Sequence, residues 1–359
     1  MENLNIVYNL IGQNWLAILV IIILPLIFVL LYALLAILGE LKFASFIQER
    51  LGPMRTGPWG IFQPVAEVVK LLQKEDITPT AANKMLYNLA PFLMFTGAYA
   101  AFAVIPFSRY FVPADINVGL FYIFAVGSVG VIGLVMGGWA SNNKYTILGA
   151  MRSVAQIVSY EIPAGAAILS IAALAGSLNI QEIIYEQSGW FWNWNILGGP
   201  GGIAKIWVIP FMILLFGIYF ISALAETNRV PFDIPEGESE IVAGYHTEYS
   251  GMKFAFFFFA EYANMFIVAA ITTILFFGGW NSPCGDLTNG WFGGAEWWLI
   301  ARDIFWFVMK SFFFVFVQIW IRWTLPRFRV DQLMEFGWKV LLPISFVCFF
   351  FIALWAMVR

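Results

Sequence analysis

Long apolar runs alternate with short polar segments along most of this 359-residue chain. Each run is long enough for a helix to cross about 30 Å of hydrocarbon, which takes roughly 20 residues. Strands are excluded because an open strand in lipid leaves its backbone groups unsatisfied. The pattern therefore predicts an all-α polytopic membrane protein with about eight transmembrane helices. The predicted spans lie near residues 15–38, 85–107, 118–140, 154–176, 206–225, 254–279, 298–322 and 338–357.

One additional helix is predicted outside the spans, at 64–75. There Val65, Val68, Val69 and Leu72 recur at helical spacing, with charged side chains around them. Such a helix can lie in the membrane interface with its narrow apolar face in lipid. It can equally pack on a soluble partner, and the sequence leaves both interpretations open.

The composition supports a membrane protein and excludes several other classes. Apolar residues make up 61% of the chain and charged residues only 11%, with a mean hydropathy of +0.81. A net charge of -3 gives no basic surface for nucleic acid. The two cysteines, Cys284 and Cys348, match no metal-ligand spacing, and His246 is the single histidine, so no metal site is predicted.

The distribution of Lys and Arg predicts the orientation, because basic residues collect in the cytoplasmic loops. With the N-terminus outside, 14 of the 19 basic residues are cytoplasmic, and both termini are then periplasmic. The first basic residue, Lys42, follows the first span, so no cleavable signal peptide is expected. The cytoplasmic set is Lys42, Arg50, Arg55, Lys70, Lys74, Lys84, Lys144, Arg152, Arg229, Lys253, Arg322, Arg327, Arg329 and Lys339.

Residues 225–251, called here the acidic loop, concentrate charge between two strongly apolar segments. Arg229 stands there against six carboxylates, and Pro231 and Pro235 prevent one continuous helix. Clustered like charges couple their titrations, so the loop could respond to a change in a neighbour's charge. A simply solvated loop is the alternative. The six carboxylates are Glu226, Asp233, Glu236, Glu238, Glu240 and Glu248.

Four ionisable residues fall within or at the ends of predicted spans. Glu261 and Lys310 lie well inside, whereas Glu161 and Glu226 lie near the cytoplasmic ends of their helices. A charge at such depth costs at least about 2.5–3.5 kcal/mol and usually marks an ion or proton path. The alternatives are a static Glu261–Lys310 ion pair and, for the other two, carboxylates that reach water.

Several sequence blocks, in the right order over essentially the whole chain, resemble one known family. These are the membrane subunits of respiratory complex I, the proton-pumping NADH:quinone oxidoreductase, known in bacteria as the H subunit and in mitochondria as NADH dehydrogenase subunit 1. The blocks are IQERLGPMRTGPWGIFQPVAEVVKLLQKE at 47–75, SYEIP at 159–163, AETNRVPFDIPEGESEIVAGYHTEYSG at 225–251, AEYANM at 260–265 and RWTLPRFRVDQLMEFGWKVLLP at 322–343.

The resemblance implies a subunit at the joint between the hydrophilic and membrane arms, in a bacterial cytoplasmic membrane. Its partners would be soluble quinone-site subunits and antiporter-like membrane subunits. Quinone would be the substrate, with the flavin and iron-sulfur clusters held by other subunits. The matching quinone-chamber positions are Glu40, Arg50, Glu67, Arg229, Asp233, Glu236 and Glu238. The matching proton-path positions are Glu161, Glu226, Glu240, Glu248, Glu261, Lys310 and Arg322.

The chain also departs from the family at Leu41, where Arg is usual between Glu40 and Lys42. This change removes a charge and bears on the entrance to the chamber. Two other functions stay open at this point. One is the related membrane subunit of an energy-converting hydrogenase. The other is an independent secondary ion transporter, for which an internal repeat would be expected.

Overall fold

A computed structural model describes residues 14–200, 206–235, 237–285 and 296–358. Within these residues the chain forms helices and no β-strand, which confirms the prediction of an all-α polytopic membrane protein. The α-helices in chain order are α1 (Trp15–Ile47), α2 (Gln63–Gln73), α3 (Lys84–Ala101), α4 (Gly119–Ala140), α5 (Lys144–Ala175), α6 (Ile180–Glu186), α7 (Ile209–Glu226), α8 (Glu238–Ile241), α9 (Gly251–Phe276), α10 (Glu296–Thr324), α11 (Val330–Phe336) and α12 (Leu342–Val358).

Seven helices within the described residues are long and apolar enough to cross a membrane. Helices α11 and α12 count as one of them, because the π-helical turn Gly337–Leu341 joins them into a continuous segment. The remaining predicted span corresponds to α3, whose Lys84, Asn88 and Pro91 lower its apolarity. Helix α3 packs against α4 and α9. The number of eight crossings stays a prediction.

Several helix ends differ from the predicted spans, among them ends of α1, α5 and α3. Helix α1 continues to Ile47, and α5 already begins at Lys144, where the Asn143 side chain caps its first turn. Apolarity reports the thickness of the hydrocarbon layer, whereas helical hydrogen bonds continue beyond it. Helix α3 instead ends early, at Ala101. Pro106 follows shortly afterwards, and a proline disfavours helical backbone in the residue before it.

Helix α9 is the central element of the bundle. It contacts α1, α2, α3, α6, α7 and α10, and most of its surface is buried. Within the described residues this helix therefore contacts six other α-helices. It also contains Glu261 and Tyr262, so any site built on these residues lies at the centre of the molecule.

Helices α3 and α4 approach closely along a stripe of glycines. A Cβ atom on Gly97 would lie 2.9 Å from the backbone nitrogen of Gly130, and one on Gly133 would lie 2.8 Å from that of Met94. Small residues of this kind allow backbone-to-backbone packing where lipid gives no hydrophobic drive for association. The glycine pattern thus sets the spacing of these two helices.

We expect Gly133→Ala to destabilise the bundle by about 1–3 kcal/mol, because the new methyl group overlaps the α3 backbone. Thermal unfolding in mild detergent, followed by tryptophan fluorescence, measures the effect. Gly217→Ala in α7 is the matched control, since a Cβ there meets no atom within 4 Å. Equal melting temperatures for the two variants would contradict the proposed role of the glycine stripe.

Candidate functional site

A buried charge cluster, formed by Glu40, Arg229, Tyr262 and Arg322, joins α1, the acidic loop, α9 and α10. The Nη1 atom of Arg229 donates to Glu40 Oε2 at 2.8 Å, and the Tyr262 hydroxyl donates to the same oxygen at 2.6 Å. Arg322 donates to the other oxygen, Oε1. Two guanidinium groups on one carboxylate leave the cluster with a net positive charge.

The surroundings of Arg229 keep it charged. Burial lowers the pKa of its guanidinium, but Glu40 and Tyr262 more than offset this and leave the pKa above its usual range. The Arg229 guanidinium also lies 4.4 Å from the centre of the Tyr262 ring. Tyr32, fully buried nearby, has a hydroxyl without a hydrogen-bond partner among the described residues. The cluster therefore combines a fixed positive charge with a neighbouring hydroxyl group, that of Tyr32, which makes no hydrogen bond among the described residues.

A second centre forms around Glu261, one residue before Tyr262 on α9. Its Oε1 atom accepts a hydrogen bond from the Tyr245 hydroxyl at 2.6 Å and lies 3.4 Å from Nε2 of His246. Both partners belong to the 3-10 turn Gly244–His246 of the acidic loop. Glu261 also interacts electrostatically with Arg229, so a change of charge at one centre affects the other.

An inner cavity of about 40 Å³ separates Glu261 from Glu226, and both residues line it. Asn264 contributes a polar group, while Gly130 leaves open space where a side chain would stand. A single water needs about 10–15 Å³ and several polar partners. The cavity is therefore large and polar enough for water to bridge the two carboxylates. A second cavity of about 50 Å³ lies on another side of Glu226.

Glu161 continues the series of carboxylates towards the surface. It interacts electrostatically with Glu226 across the α5–α7 contact. It also lines an apolar groove of about 390 Å³, where Phe346 and Phe349 of α12 face Leu120 and other residues of α4 and α5. Among the described residues that line this groove, Glu161 is the only charged one. The series thus runs from the centre of the bundle to its outer surface.

Ion pairs hold part of the acidic loop against neighbouring elements. Asp233, which is 5% exposed, accepts from Arg327 at 2.7 Å, and Glu240 accepts from Arg152 of α5 at 2.6 Å. In this second pair the Glu240 side chain is exposed and the Arg152 side chain is partly buried. Since Arg229 and Asp233 are both buried, the first half of this loop differs from the simply solvated loop that was the alternative interpretation of the sequence.

Neutral side chains complete the attachment of the loop. Glu248 accepts from Nδ2 of Asn143 at 2.6 Å. The buried Gln156 of α5 donates through Nε2 to the backbone oxygens of Ala225, at 2.8 Å, and Phe232, at 2.7 Å. These two bonds close the turn that contains Arg229, and so they fix its position against Glu40.

Lys310 lies apart from the carboxylate series. Its Nζ atom donates to the backbone oxygens of Phe277 at 2.7 Å, Gly279 at 3.1 Å and Asn281 at 2.6 Å, just beyond the end of α9. Glu261 stands about 24 Å away along that helix, at about 1.5 Å per residue. The alternative of a Glu261–Lys310 ion pair is therefore wrong, because lysine here satisfies carbonyl groups at a helix end.

The remaining predicted positions do not join the charge cluster. Arg50 is exposed, and Glu67 accepts from Nε2 of Gln63 at 3.2 Å within α2. No hydrogen bond or ion pair links either one to the cluster within the part of the chain that the structure describes. Glu236 lies outside the described residues, and the same holds for the side chain of Glu238.

Sequence reasoning missed several partners that the structure brings in. Tyr262 and Tyr245 bind the two central carboxylates, Arg327 pairs with Asp233, and His246 was considered only as a metal ligand. The position of Tyr262 next to a charge inside a span was the one available signal. Uncharged polar groups such as Asn264 and the tyrosine hydroxyls give no comparable signal, because polar and aromatic residues of these kinds are common throughout this sequence.

A separate charge group lies at the opposite end of the bundle. Asp303 of α10, fully buried, accepts from Nε of Arg109 and from Nη2 of Arg302, both at 2.7 Å. It fastens the segment between α3 and α4 to the start of α10. In a buried group of this kind the cost of desolvating the charges cancels much of their attraction, so the hydrogen bonds keep the side chains in place.

The fold and these centres define a class of multi-pass membrane proteins in which buried carboxylates connect a charged end of the bundle to its outer surface. Within the described residues no group of His, Cys, Asp or Glu is arranged to hold a metal ion. The model of the NADH dehydrogenase family matches residues 18–353. The chain belongs to this family, which confirms the resemblance to membrane subunits of complex I.

Relatives match over nearly the full length. The chain is 53% identical over 351 residues to the NADH-quinone oxidoreductase H subunit of Chlorobium luteolum, covering 95% of this chain and 89% of that protein. For the H subunit of Chlorobaculum tepidum the identity is 52% over 352 residues, covering 96% and 94%. For the H subunit of Phenylobacterium zucineum it is 47% over 330 residues, covering 92% and 90%.

We expect Glu40→Gln to lower the stability of the protein by about 3–5 kcal/mol, because it leaves two guanidinium groups without their carboxylate. Thermal unfolding in detergent measures the loss. Combining it with Arg229→Gln should cost less than the two single losses added together, since the pair acts as a unit.

The control for this experiment is Glu335→Gln. Glu335 pairs with Lys339 at 2.6 Å, but both side chains are about two-thirds exposed, at 65% and 70%. An exposed pair of this kind contributes little to stability, because water screens the attraction between its charges. A Glu40 variant as stable as this control would contradict the structural importance of the charge cluster.

Proposed function

We propose that this chain forms part of the quinone chamber and the first section of the proton path in a proton-translocating NADH:quinone oxidoreductase. One observation carries the proposal. Arg229 of the charge cluster interacts electrostatically with Glu261, Glu261 and Glu226 line the same inner cavity, and Glu226 interacts electrostatically with Glu161 at the surface groove. A subunit that couples quinone chemistry to proton movement needs such a series.

The chamber would lie at the end of the bundle that carries the acidic loop. Helix α2 packs there against α1 and α9, beside the charge cluster. A quinone from the lipid would pass α1 and α2 to a reduction site covered by soluble partner subunits. The residues proposed to line the chamber are Glu40, Arg50, Glu67, Arg229, Asp233, Glu236 and Glu238.

The coupling step would begin with a change of charge in the chamber. Quinone reduction consumes protons or creates negative charge, and Arg229 would respond because it is shared between Glu40 and Glu261. A weaker hold on Glu261 would allow it to exchange a proton through the inner cavity with Glu226. Glu161 would then pass the charge to an adjoining antiporter-like subunit.

The other predicted path residues have different positions in this proposal. Arg322 acts within the charge cluster, whereas Glu240 and Glu248 hold the acidic loop to its neighbours. Lys310 is proposed to belong to the outward end of the path, where three carbonyls hold its ammonium group. The orientation proposed is that of a bacterial cytoplasmic membrane with both termini in the periplasm.

The two rival functions have less support. The relatives described above are named as subunits of a quinone oxidoreductase rather than of a hydrogenase. A secondary transporter would call for repeated units with broken helices at the membrane centre. In the described residues the long helices run without such paired breaks. Purification in mild detergent separates the cases, because a transporter would run alone or as a homo-oligomer.

Replacing Glu261 or Glu226 with Gln should lower proton pumping by roughly 10-fold or more in the assembled complex, because an amide cannot relay a proton. The measurement is NADH:quinone turnover together with the proton-to-electron ratio in sealed vesicles. Glu335→Gln again serves as the exposed control. Unchanged turnover and ratio in both variants would exclude the assigned role.

Filling the inner cavity should have the same effect without changing any charge. Gly130→Leu adds a side chain into a space where a Cβ meets no atom within 4 Å, and it should slow pumping several-fold by displacing water. Gly217→Leu is the control, because a Cβ there is equally unobstructed but outside the cavity. Equal pumping rates in the two variants would argue against water transfer between Glu261 and Glu226.

A further inference from the structure

The residues that directly follow α2 are attached to the start of α9 by polar contacts. Nζ of Lys253 lies 2.9 Å from Oδ2 of Asp76, and the Ser250 hydroxyl donates to the backbone oxygen of Glu75 at 3.2 Å. The backbone N–H of Ile77 donates to the same hydroxyl at 3.5 Å. We call residues 75–77 and 250–253 together the helix joint.

Backbone geometry brings the two helix ends still closer. Gly251, the first residue of α9, has a φ of 57°, a conformation that favours glycine. A Cβ atom there would lie 3.3 Å from the backbone oxygen of Lys74 and 3.6 Å from that of Leu71. The positive N-terminus of α9 therefore faces the carbonyl groups that end α2, which is a favourable arrangement of helix dipoles.

Helix α3 supports the joint from behind. The ammonium group of Lys253 lies 5.1 Å from the centre of the Tyr87 ring, and Tyr249 stacks on the same ring at 4.3 Å. The Tyr87 hydroxyl donates to the backbone oxygen of Glu248 at 2.7 Å. Lys253 is thereby held on two sides, and its side chain is only 13% exposed.

The joint lies between two functional parts of the molecule. On one side, α2 presents Val65, Val69 and Leu72, which are all at least two-fifths exposed. On the other side, Glu261 follows Lys253 by eight residues, about 12 Å along a continuous helix. The joint thus connects α2 to the helix that places Glu261 against Tyr245.

From these contacts we propose that Asp76 and Lys253 are positioning residues, which couple the position of α2 to that of Glu261. Movement of α2, as quinone passes it, would pull on Lys253 and shift the first turns of α9. The hydrogen bond from Tyr245 to Glu261 would then lengthen or shorten. This inference rests on the proposed function, because it assumes that Glu261 takes part in proton transfer.

The test is a set of charge changes measured in the whole complex. Asp76→Asn and Lys253→Gln should each lower quinone turnover and the proton-to-electron ratio roughly 5-fold, and the double variant should be no worse than either single one. The exchanged pair, Asp76→Lys with Lys253→Asp, should recover at least half of the activity. NADH oxidation with ferricyanide reports the amount of assembled enzyme.

The outcomes separate a positioning role from a structural one. A joint that only stabilises the fold would lower the amount of assembled complex and leave the proton-to-electron ratio of the assembled fraction unchanged, which would overturn the proposal. Additive losses, or no recovery in the exchanged pair, would also overturn it. Asp76 is 55% exposed, so Asp76→Asn should assemble normally. The exposed pair variant Glu335→Gln is the control.

The proposed function can fail independently of this inference. If Glu261→Gln and Glu226→Gln leave pumping unchanged, the proposed function is wrong, whatever the joint variants do. If those two variants abolish pumping while Asp76→Asn and Lys253→Gln behave like Glu335→Gln, only the role of the helix joint is wrong.

Discussion

The structure depends on the pairing of charges that the apolar bundle cannot solvate. Glu40, Arg229 and Arg322 come from three distant parts of the chain, and each one is costly to bury unless the others are present. Their hydrogen bonds hold α1, the acidic loop and α10 together at one end of the molecule. Because both guanidinium groups act on one carboxylate, a change of charge nearby alters the balance of the whole cluster. The interaction that holds this end together is thus the one best placed to respond to chemistry.

Helix α9 links this cluster to the rest of the fold. Successive residues on a helix point about 100° apart, so Tyr262 binds Glu40 while Glu261 faces Tyr245 and the inner cavity. Two centres are therefore built on adjacent residues of one rigid element. The glycines of α3 and α4 complete the arrangement, because Gly97 of α3 and Gly133 of α4 permit close packing while Gly130 of α4 leaves space beside the carboxylates. Along the interface between α3 and α4, glycine therefore allows close helix packing at some positions and leaves the cavity open at another.

Much of this could be predicted from the sequence. Apolar runs, their lengths and the helical spacing at 64–75 are local properties, and they gave the fold class and the approximate position of each helix. The charges inside the spans marked Glu261, Glu226 and Glu161 as unusual, because burial of a charge in lipid is expensive. Motif resemblance, rather than physical reasoning, added Glu40 and Arg229 as chamber residues. Their direct contact, across 189 positions of sequence, was visible to neither approach.

By itself, then, the sequence determined the helices, the class of protein and which charges required an explanation. The tertiary structure decided which partners these charges have. It separated Lys310 from Glu261, placed tyrosines on Glu40 and Glu261, and opened a cavity between Glu261 and Glu226. The physical reason is that apolarity and helical period act over neighbouring residues, whereas the environment of a buried charge depends on how distant helices pack. Charge pairing is therefore a property of the assembled bundle.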